Sequence, residues 1–329
     1  MATKLKMHGF RVEKLGGPEV LHFEDLDLPA PGAGQALVRL HAAGVNYADV
    51  GQRSGLYPVQ LPFVPGLEGA GVVEQVGAGV TNVKPGDRVA YTGQPGSYAE
   101  ANIVRADALI PLPDAFDFIQ GAAFPLQGMT AHYLIHEFRT IKKGDTVLIH
   151  AAAGGMGLLL VQWAKHLGAR VFGTVSTAEK AKVAKEAGAD EAILYTHQDF
   201  AKESKRLTTE KGVDFIIDGV GKTTFPGDLE AVAVRGNIVI YGAASGVADP
   251  IVPNSLMVKA VTISGGSLNH YLLSRDELMM RANAVINGIK EGWLKLRNDH
   301  VLPLSEAAQA HQLLENRKTV GKIILRCSS

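Results

Sequence analysis

The sequence predicts an α/β protein with a β-rich first part and a doubly wound parallel sheet in its second part. Up to about residue 125, short alternating or β-branched runs (residues 36–41, 71–76 and 87–91) are separated by Pro and Gly turns. This spacing is typical of an antiparallel, barrel-like β domain. Beyond that point apolar strands alternate with helical patterns, which indicates βαβ units.

The alternation in the second part can be followed element by element. Strands are predicted at residues 146–150, 170–175, 214–218, 237–241 and 261–264, with helices at 158–167 and 178–187. A helix at 276–291 and a strand at 322–326 then return the chain to the first domain. Because 329 residues at about 150 per domain indicate two domains, we predict one domain of residues 1–127 and 268–329 and another of residues 128–267.

Charge and cysteine content exclude several classes of protein. The 33 Lys and Arg residues balance the 33 Asp and Glu residues, so nucleic-acid binding is not expected. The single cysteine, Cys327, rules out an intrachain disulfide and a four-cysteine zinc site and suits a reducing compartment. The N-terminus lacks the apolar core of a secretory signal, and residues 147–161 fall short of the roughly 20 residues that span a bilayer. We therefore expect a cytoplasmic protein with no membrane partner.

The sharpest motif is the small-residue run Ala151-Ala-Ala-Gly-Gly-Met-Gly157 between an apolar strand and a helix. In a dinucleotide-binding turn, Gly154 lets the backbone approach a pyrophosphate and Gly157 lets the helix pack against the strand. The first glycine of the G-x-G-x-x-G pattern is replaced by Ala152. A structural turn without a ligand is the alternative, but the strand and helix on either side favour dinucleotide binding.

The end of the next strand indicates which dinucleotide binds. NAD-binding folds usually place Asp or Glu about 20 residues beyond the loop, where it binds the ribose 2′-hydroxyl. Here Ser176 stands at that strand end, and Lys180 follows. Both suit a 2′-phosphate, which a carboxylate would repel. Glu179 is a contrary sign, and an ordinary surface role for Lys180 is the alternative. We predict NADPH rather than NADH.

Several motifs along the chain occur together in one known family. They are Gly44-Val-Asn-Tyr-Ala-Asp49, Arg53-Ser-Gly-Leu-Tyr57, Pro65-Gly-Leu-Glu-Gly-Ala-Gly71, the glycine run, Gln162-Trp-Ala-Lys165 and Gly173-Thr-Val-Ser-Thr-Ala-Glu-Lys180. With them the whole chain resembles the zinc-independent quinone oxidoreductases, the zeta-crystallin-like branch of the medium-chain dehydrogenase/reductase superfamily. The resemblance implies a GroES-like catalytic domain (1–127 and 268–329), a Rossmann domain (128–267), a cofactor cleft and a homodimer.

The resemblance also implies roles for single residues. Asn46, Tyr57 and Thr130 would be the catalytic residues near the nicotinamide. The cofactor would be held by Gly154, Gly155, Met156 and Gly157 at the pyrophosphate, by Ser176, Lys180 and Tyr195 at the 2′-phosphate, and further by Val220, Gly242, Leu268 and Arg317. Structural alternatives are a turn role for Asn46 and a packing role for Tyr57.

Two further positions in the first domain bear on the substrate site. Asp49 and Arg53 are four residues apart, which favours an ion pair that braces a helix over direct catalysis. Gly51 stands where some relatives carry an aromatic residue, which implies a wider substrate site.

The resemblance implies a site without zinc. Zinc-dependent relatives use a Cys in the segment that matches residues 44–49 and a His in the segment that matches 66–69; here Asn46 and Leu67 occupy those positions, and neither is a useful zinc ligand. Without a Lewis acid, alcohol oxidation is not expected. We expect NADPH-dependent reduction of quinones. The alternatives are reduction of an alkenal or enone double bond and a non-enzymatic role as a cofactor-binding structural or RNA-binding protein.

Overall fold

The computed structural model describes residues 5–327, and the chain forms two compact units. The first contains the residues up to Leu126, Ser274–Ala282 and the residues from Asn298 onward. The second contains Gln127–Leu273 and Asn283–Arg297. Among the described residues, no helix is long and apolar enough to cross a membrane.

The first part of the chain is built mainly from β-strands. Its strands are β1 (Leu5–Arg11), β2 (His22–Leu28), β3 (Gln35–Val45), β4 (Glu68–Val76), β5 (Arg88–Thr92), β6 (Ala101–Arg105) and β7 (Ile110–Pro111), and its helices are α1 (Tyr47–Ser54) and α2 (Phe118–Ala123). Strands β1 and β2 form an antiparallel pair. Strand β3 pairs antiparallel with both β4 and β6.

The middle of the chain alternates strictly between helix and strand before its last two strands. The elements are α3 (Pro125–His136), β8 (Thr146–Ile149), α4 (Gly155–His166), β9 (Arg170–Val175), α5 (Ala178–Glu186), β10 (Glu191–Leu194), α6 (Phe200–Leu207), β11 (Val213–Asp218), α7 (Phe225–Ala231), β12 (Val232–Ile240) and β13 (Thr262–Gly265). The strands form one sheet in the order β10-β9-β8-β11-β12-β13, and every neighbouring pair is parallel. The strand order reverses between β8 and β11, as in a doubly wound fold, which confirms the predicted fold class.

The last part of the chain completes the first sheet. It contains α8 (Arg275–Lys290), β14 (His300–Pro303), α9 (Ala307–Glu315) and β15 (Ile323–Arg326). Strand β15 pairs antiparallel with β3 and parallel with β14. Residues from β3, β4, β5 and β15 and from the start of α9 share one buried apolar core. The core also takes in Cys327, whose Sγ lies 3.9 Å from the carbonyl oxygen of Ser97.

The second boundary between the units differs from the prediction at residue 268. Residues 268–273 and 283–297 group with the parallel sheet. The indole rings of Trp163 and Trp293 lie 5.3 Å apart, and Lys295 N donates to Gln162 Oε1 at 2.8 Å. Contacts between residues more than a hundred positions apart determine to which unit this segment belongs. Hydrophobic periodicity along the chain carries no information about such contacts.

Candidate cofactor and substrate sites

The glycine turn leads from β8 into α4 through a tight bend. Gly154 is the N-cap of α4 with extended backbone angles, and its N–H donates to the carbonyl oxygen of Ala151 at 2.9 Å. A Cβ at Gly157 would clash with that same carbonyl oxygen, whereas a Cβ at Gly154 would lie 3.3 Å from it. Gly157 is therefore required by packing, while Gly154 lies at the helix N-terminus, where an anion is favoured.

The residues predicted for the 2′-phosphate lie at one edge of the parallel sheet. Strands β9 and β10 end side by side, because Leu194 pairs with Val175 and Tyr195 N donates to the carbonyl oxygen of Val175 at 3.2 Å. Ser176 follows β9 directly. Lys180 lies in the first turn of α5, where its N–H donates to Oγ1 of the N-cap residue Thr177. Ser176, Lys180 and Tyr195 thus surround the carboxyl ends of two neighbouring strands.

Glu179, whose negative charge argues against a 2′-phosphate at this edge, forms hydrogen bonds at the start of α5. Hydrogen bonds to its own backbone N–H and to the Thr177 side chain lower the pKa of the Glu179 carboxyl. The carboxylate thus interacts with the N-terminus of its own helix, where a negative charge is favoured.

The other predicted cofactor residues are distributed over both units. Val220 and Gly242 follow the adjacent strands β11 and β12, and a Cβ at Gly242 would lie 2.7 Å from the carbonyl oxygen of Gly219. Leu268 begins a short 3₁₀ turn after β13. Arg317 belongs to the first unit, in the turn after α9, with φ of 56°. The three predicted catalytic residues are also divided between the units. Thr130 is buried in α3 of the second unit, whereas Asn46 and Tyr57 belong to the first unit.

A buried network surrounds Asn46 at the start of α1. Asn46 Nδ2 donates to Glu68 Oε2 at 3.0 Å. The Lys322 ammonium donates to Asn46 Oδ1 and to Glu68 Oε2, both at 2.6 Å. Glu68 Oε1 accepts a further hydrogen bond from the backbone N–H of Leu126 at 2.7 Å. The exposed fractions are 3% for Asn46, 0% for Glu68 and 3% for Lys322, so this ion pair is fully enclosed.

The network fixes how Asn46 can present its amide. Its oxygen accepts from an ammonium and its nitrogen donates to a carboxylate, so the two ends cannot exchange. Glu68 and Lys322 were not predicted from the sequence. The available signals were a lone lysine immediately before the apolar run Ile323-Ile-Leu325 and a lone acid inside the run Gly66-Leu-Glu-Gly-Ala-Gly71.

Asp49 and Arg53 do not form the predicted pair with each other, so that prediction is wrong. The Asp49 carboxylate accepts hydrogen bonds from the backbone N–H groups of Asn46 and Leu67 and from the Tyr98 hydroxyl. Burial raises the pKa of Asp49 to about 7. Arg53 pairs instead with Glu315 of α9 at 2.5 Å. Both side chains brace α1, as expected for structural residues, but through partners other than each other.

Tyr57 covers the position at which a wider site was expected. A Cβ at Gly51 would clash with the Tyr57 ring, and Tyr57 N donates to the carbonyl oxygen of Gly51 at 3.0 Å. The ring therefore fills the space that the missing side chain leaves, which corrects the inference of a wider site at Gly51. Partial burial raises the pKa of the Tyr57 hydroxyl, so it is a weaker acid than a free tyrosine.

A strand-rich unit together with a doubly wound sheet that carries a glycine turn defines a two-domain, nucleotide-dependent dehydrogenase or reductase. Models of two protein families match the chain accordingly. The alcohol dehydrogenase GroES-like domain matches residues 32–114, and the zinc-binding dehydrogenase domain matches residues 155–280.

Individual relatives narrow the class. A 2-haloacrylate reductase of Burkholderia is 42% identical over 323 residues, 95% of this chain and 97% of the relative. A quinone oxidoreductase of Pseudomonas aeruginosa is 41% identical over 94% of this chain and 96% of its own. The crystal structure of Escherichia coli quinone oxidoreductase complexed with NADPH matches with a TM-score of 0.94 and 38% identity, covering 97% of this chain and 99% of that one. The chain belongs to the quinone oxidoreductase family of the medium-chain dehydrogenase/reductase superfamily, which confirms the resemblance.

Proposed function

We propose that the protein is an NADPH-dependent oxidoreductase that reduces quinones. The observation that carries this proposal is the carboxyl edge of the parallel sheet. There Gly154 lies at the N-terminus of α4, which would bind a pyrophosphate, and Ser176 and Lys180 carry a hydroxyl and an ammonium for a 2′-phosphate. The residues present therefore fit NADPH. Bound there, NADPH would supply the reducing equivalents for the acceptor.

The residues of the chain supply binding and orientation. The N-terminus of α4 stabilises the pyrophosphate charge, and Lys180, with Ser176 and Tyr195, selects the 2′-phosphate. Asn46, Tyr57 and Thr130, matched to the family's motifs, are proposed as the contacts of the nicotinamide and the substrate. Asn46 cannot transfer a proton; its role is to orient, with its amide held by Glu68 and Lys322. A quinone suits such a site, because its reduced form is a stable anion that water can protonate.

The cofactor assignment is tested by the ratio of NADPH to NADH affinity. Ser176→Asp and Lys180→Ala should each weaken NADPH more than NADH, because they add or leave uncompensated negative charge at the 2′-phosphate. Loss of one charge-assisted hydrogen bond corresponds to about ten- to a hundred-fold in affinity. Lys182→Ala is the matched control, since Lys182 lies on the same helix with an 80% exposed side chain. An unchanged ratio in both variants would contradict the assignment.

The proposed site needs no metal. Asn46 and Leu67 stand at the positions matched to zinc ligands, and the Lys322 ammonium neutralises the buried Glu68 carboxylate. Exhaustive chelation should leave turnover unchanged. Activity that is lost on chelation and restored by zinc would overturn the metal-free proposal.

Reduction of an activated carbon–carbon double bond is the second candidate, favoured by the name of the 2-haloacrylate reductase at 42% identity. A panel of quinones, enones and 2-haloacrylates, followed by NADPH absorbance, separates the two. Tyr57→Phe sharpens the test, because an enolate is more basic than a hydroquinone anion and gains more from a nearby hydroxyl. We expect Tyr57→Phe to retain most quinone turnover. Its collapse with NADPH binding intact would make Tyr57 a general acid, and no turnover of any acceptor would favour a non-enzymatic role.

We further propose a cytoplasmic homodimer. Strand β13 is the edge of the parallel sheet, and the segment before it exposes large apolar side chains: Val247, Val252, Met257 and Val258. Exposed apolar side chains next to an open strand edge are typical of an interface. Light scattering should give twice the mass of the chain, and Val258→Glu should give a monomer. A monomeric wild-type protein would contradict the proposal.

A further inference from the structure

A second buried polar cluster lies in the parallel-sheet unit. His150 directly follows β8 and precedes the glycine turn, Asp218 is the last residue of β11, and Asp228 lies in α7. All three are at most 2% exposed, and one nitrogen or oxygen atom from each lies within 4.8 Å of the other two. Nothing in the cofactor or substrate assignments uses this cluster.

His150 and Asp218 are also held by groups outside the cluster, whereas Asp228 is held by His150. His150 Nδ1 lies 2.9 Å from Thr174 Oγ1, and His150 Nε2 lies 2.7 Å from Asp228 Oδ1. The Asp218 carboxylate accepts from the backbone N–H groups of Val220 and Gly221 and from the Thr224 hydroxyl at 2.6, 3.1 and 2.8 Å. The cluster thus connects the residue before the glycine turn with the turn at residues 218–221, which includes the predicted cofactor residue Val220.

The Oδ2 atom of Asp228 is the position in this cluster at which a proton could be held. This buried atom has no hydrogen-bond donor among the described protein groups, and it belongs to a carboxyl group that neighbours the carboxylate of Asp218. Two carboxylates in one buried site repel each other, and a proton held between them removes that repulsion. A metal ion fits less well, because both His150 nitrogens and both Asp218 oxygens already lie at hydrogen-bond distance from protein groups.

The titration of the groups around this proton agrees with sharing. Burial raises the pKa of Asp228 to about 7, with Asp218 adding to the shift and His150 opposing it. Burial alone would lower the pKa of His150, but Asp228 and Asp218 outweigh it and raise that pKa. Tyr241 also faces Asp218; burial raises the pKa of its hydroxyl, which stays neutral. Phe200 covers the His150 ring edge-on at 4.8 Å and excludes water.

We propose that His150, Asp228 and Asp218 form a proton-sharing chain that holds the 218–221 turn and the start of the glycine turn in place, which makes Asp228 a positioning residue for the cofactor. Loss of the shared proton sets two carboxylates against each other and displaces the 218–221 turn. The cofactor part of this inference rests on the proposed NADPH function; the proton itself does not.

Asp228→Asn tests the chain, because its amide can donate permanently to Asp218 while its oxygen still accepts from His150. We expect the wild-type protein to bind NADPH on the order of three- to thirty-fold more weakly above pH 8 than at pH 6, relative to Asp228→Asn at each pH. Dividing the wild-type affinity by that of Asp228→Asn at the same pH removes the effect of the cofactor phosphate's own titration. Asp228→Ala should weaken NADPH at every pH, and Glu230→Gln, an exposed change on the same helix, should behave as wild type.

Unfolding by urea without cofactor provides the second measurement. Wild-type stability should fall more steeply than that of Asp228→Asn as the pH rises from 4 to 7, because in this range the folded protein keeps a proton that the unfolded chain has already released. Parallel pH profiles for both proteins in binding and in unfolding would overturn the proposal. If wild type binds no NADPH, the proposed function fails and the unfolding profiles still decide. If Asp228→Asn does not fold, an NMR titration of His150 in the wild-type protein decides: a pKa at or below 6.5 rejects the chain.

Discussion

The buried ion pair of Lys322 and Glu68 fixes the orientation of the uncharged Asn46 side chain. Removing two charges from water costs several kcal/mol for each ion, and at this site the cost is offset by direct contact and by hydrogen bonds from Asn46 and Leu126. The arrangement leaves Asn46 with one donor end and one acceptor end in fixed positions. The orienting role proposed for Asn46 would benefit from this constraint, because little rotamer freedom would be lost on binding.

Lys322→Met should destabilise the protein strongly. The substitution leaves the Glu68 carboxylate buried without its cation, a change that typically costs about 3–5 kcal/mol. Urea denaturation measures it, and Lys318→Met, an exposed change in the turn before β15, should stay within about 0.5 kcal/mol of wild type. Adding Glu68→Gln should restore part of the loss. A loss below about 1 kcal/mol in Lys322→Met would mean that Glu68 is not held as an ion.

At the scale of elements, the strand–turn–helix unit from β8 to α4 combines two requirements in one short segment. Ala151 adopts a left-handed conformation with φ of 51°, which costs energy for a residue with a Cβ, and its carbonyl oxygen then contacts the start of α4. Gly157 allows this contact by packing, and Gly154 is the residue proposed to admit the pyrophosphate. The two glycines are therefore separable by substitution.

Gly154→Ala and Gly157→Ala should have different effects. A Cβ at Gly154 meets only the Ala151 carbonyl oxygen at 3.3 Å, so we expect the fold and its melting temperature to be kept while NADPH affinity falls about ten-fold or more, as the backbone can no longer approach the pyrophosphate. Gly157→Ala clashes with backbone and should lower both. Thermal melting and cofactor titration measure the pair. If Gly154→Ala retains full affinity, the turn is structural.

Elements were more predictable than the contacts between them. Strand β9 is predicted and observed at residues 170–175. Its short apolar run is bounded by turn residues on both sides, which marks the ends of the strand in the sequence. Helix α4 begins at Gly155 rather than at residue 158, since glycines that weaken a helix pattern form its first turn here. The buried networks could not be predicted. Asn46 and Lys322 are 276 residues apart, and His150 and Asp228 are 78 apart, so only the folded chain shows that they meet.

At the scale of the whole molecule, burial raises the pKa of two carboxyl groups among residues 5–327 to about 7: Asp49 in the first unit and Asp228 in the second. In both cases burial is the main cause. An unfolded aspartate titrates near 3.9, so the folded protein binds more protons than the unfolded chain between about pH 4 and pH 7. The stability contributed by each protonated carboxyl is complete below pH 4 and is lost as the pH rises towards 7.

Asp49→Asn should therefore flatten the pH profile of stability. We expect the free energy of unfolding of the wild-type protein to fall by up to about 1 kcal/mol per pH unit more steeply than that of Asp49→Asn between pH 5 and 7. Urea titrations at several pH values measure the slopes. Asp107→Asn, at an exposed position, provides the control. Equal slopes for wild type and Asp49→Asn would show that Asp49 is ionised throughout this range.

Cys327 is a natural probe of local opening in the first unit. It is the single cysteine of the chain, it is 6% exposed in the core beside β15, and burial raises the pKa of its thiol, so a thiol-directed reagent reacts with it only when that core opens. The rate of chemical labelling under native conditions then reads out how often the first unit opens around its C-terminal strand. Because the second unit carries no cysteine, unfolding of that unit exposes no thiol of its own. The labelling rate therefore reports local opening of the first unit without an engineered probe.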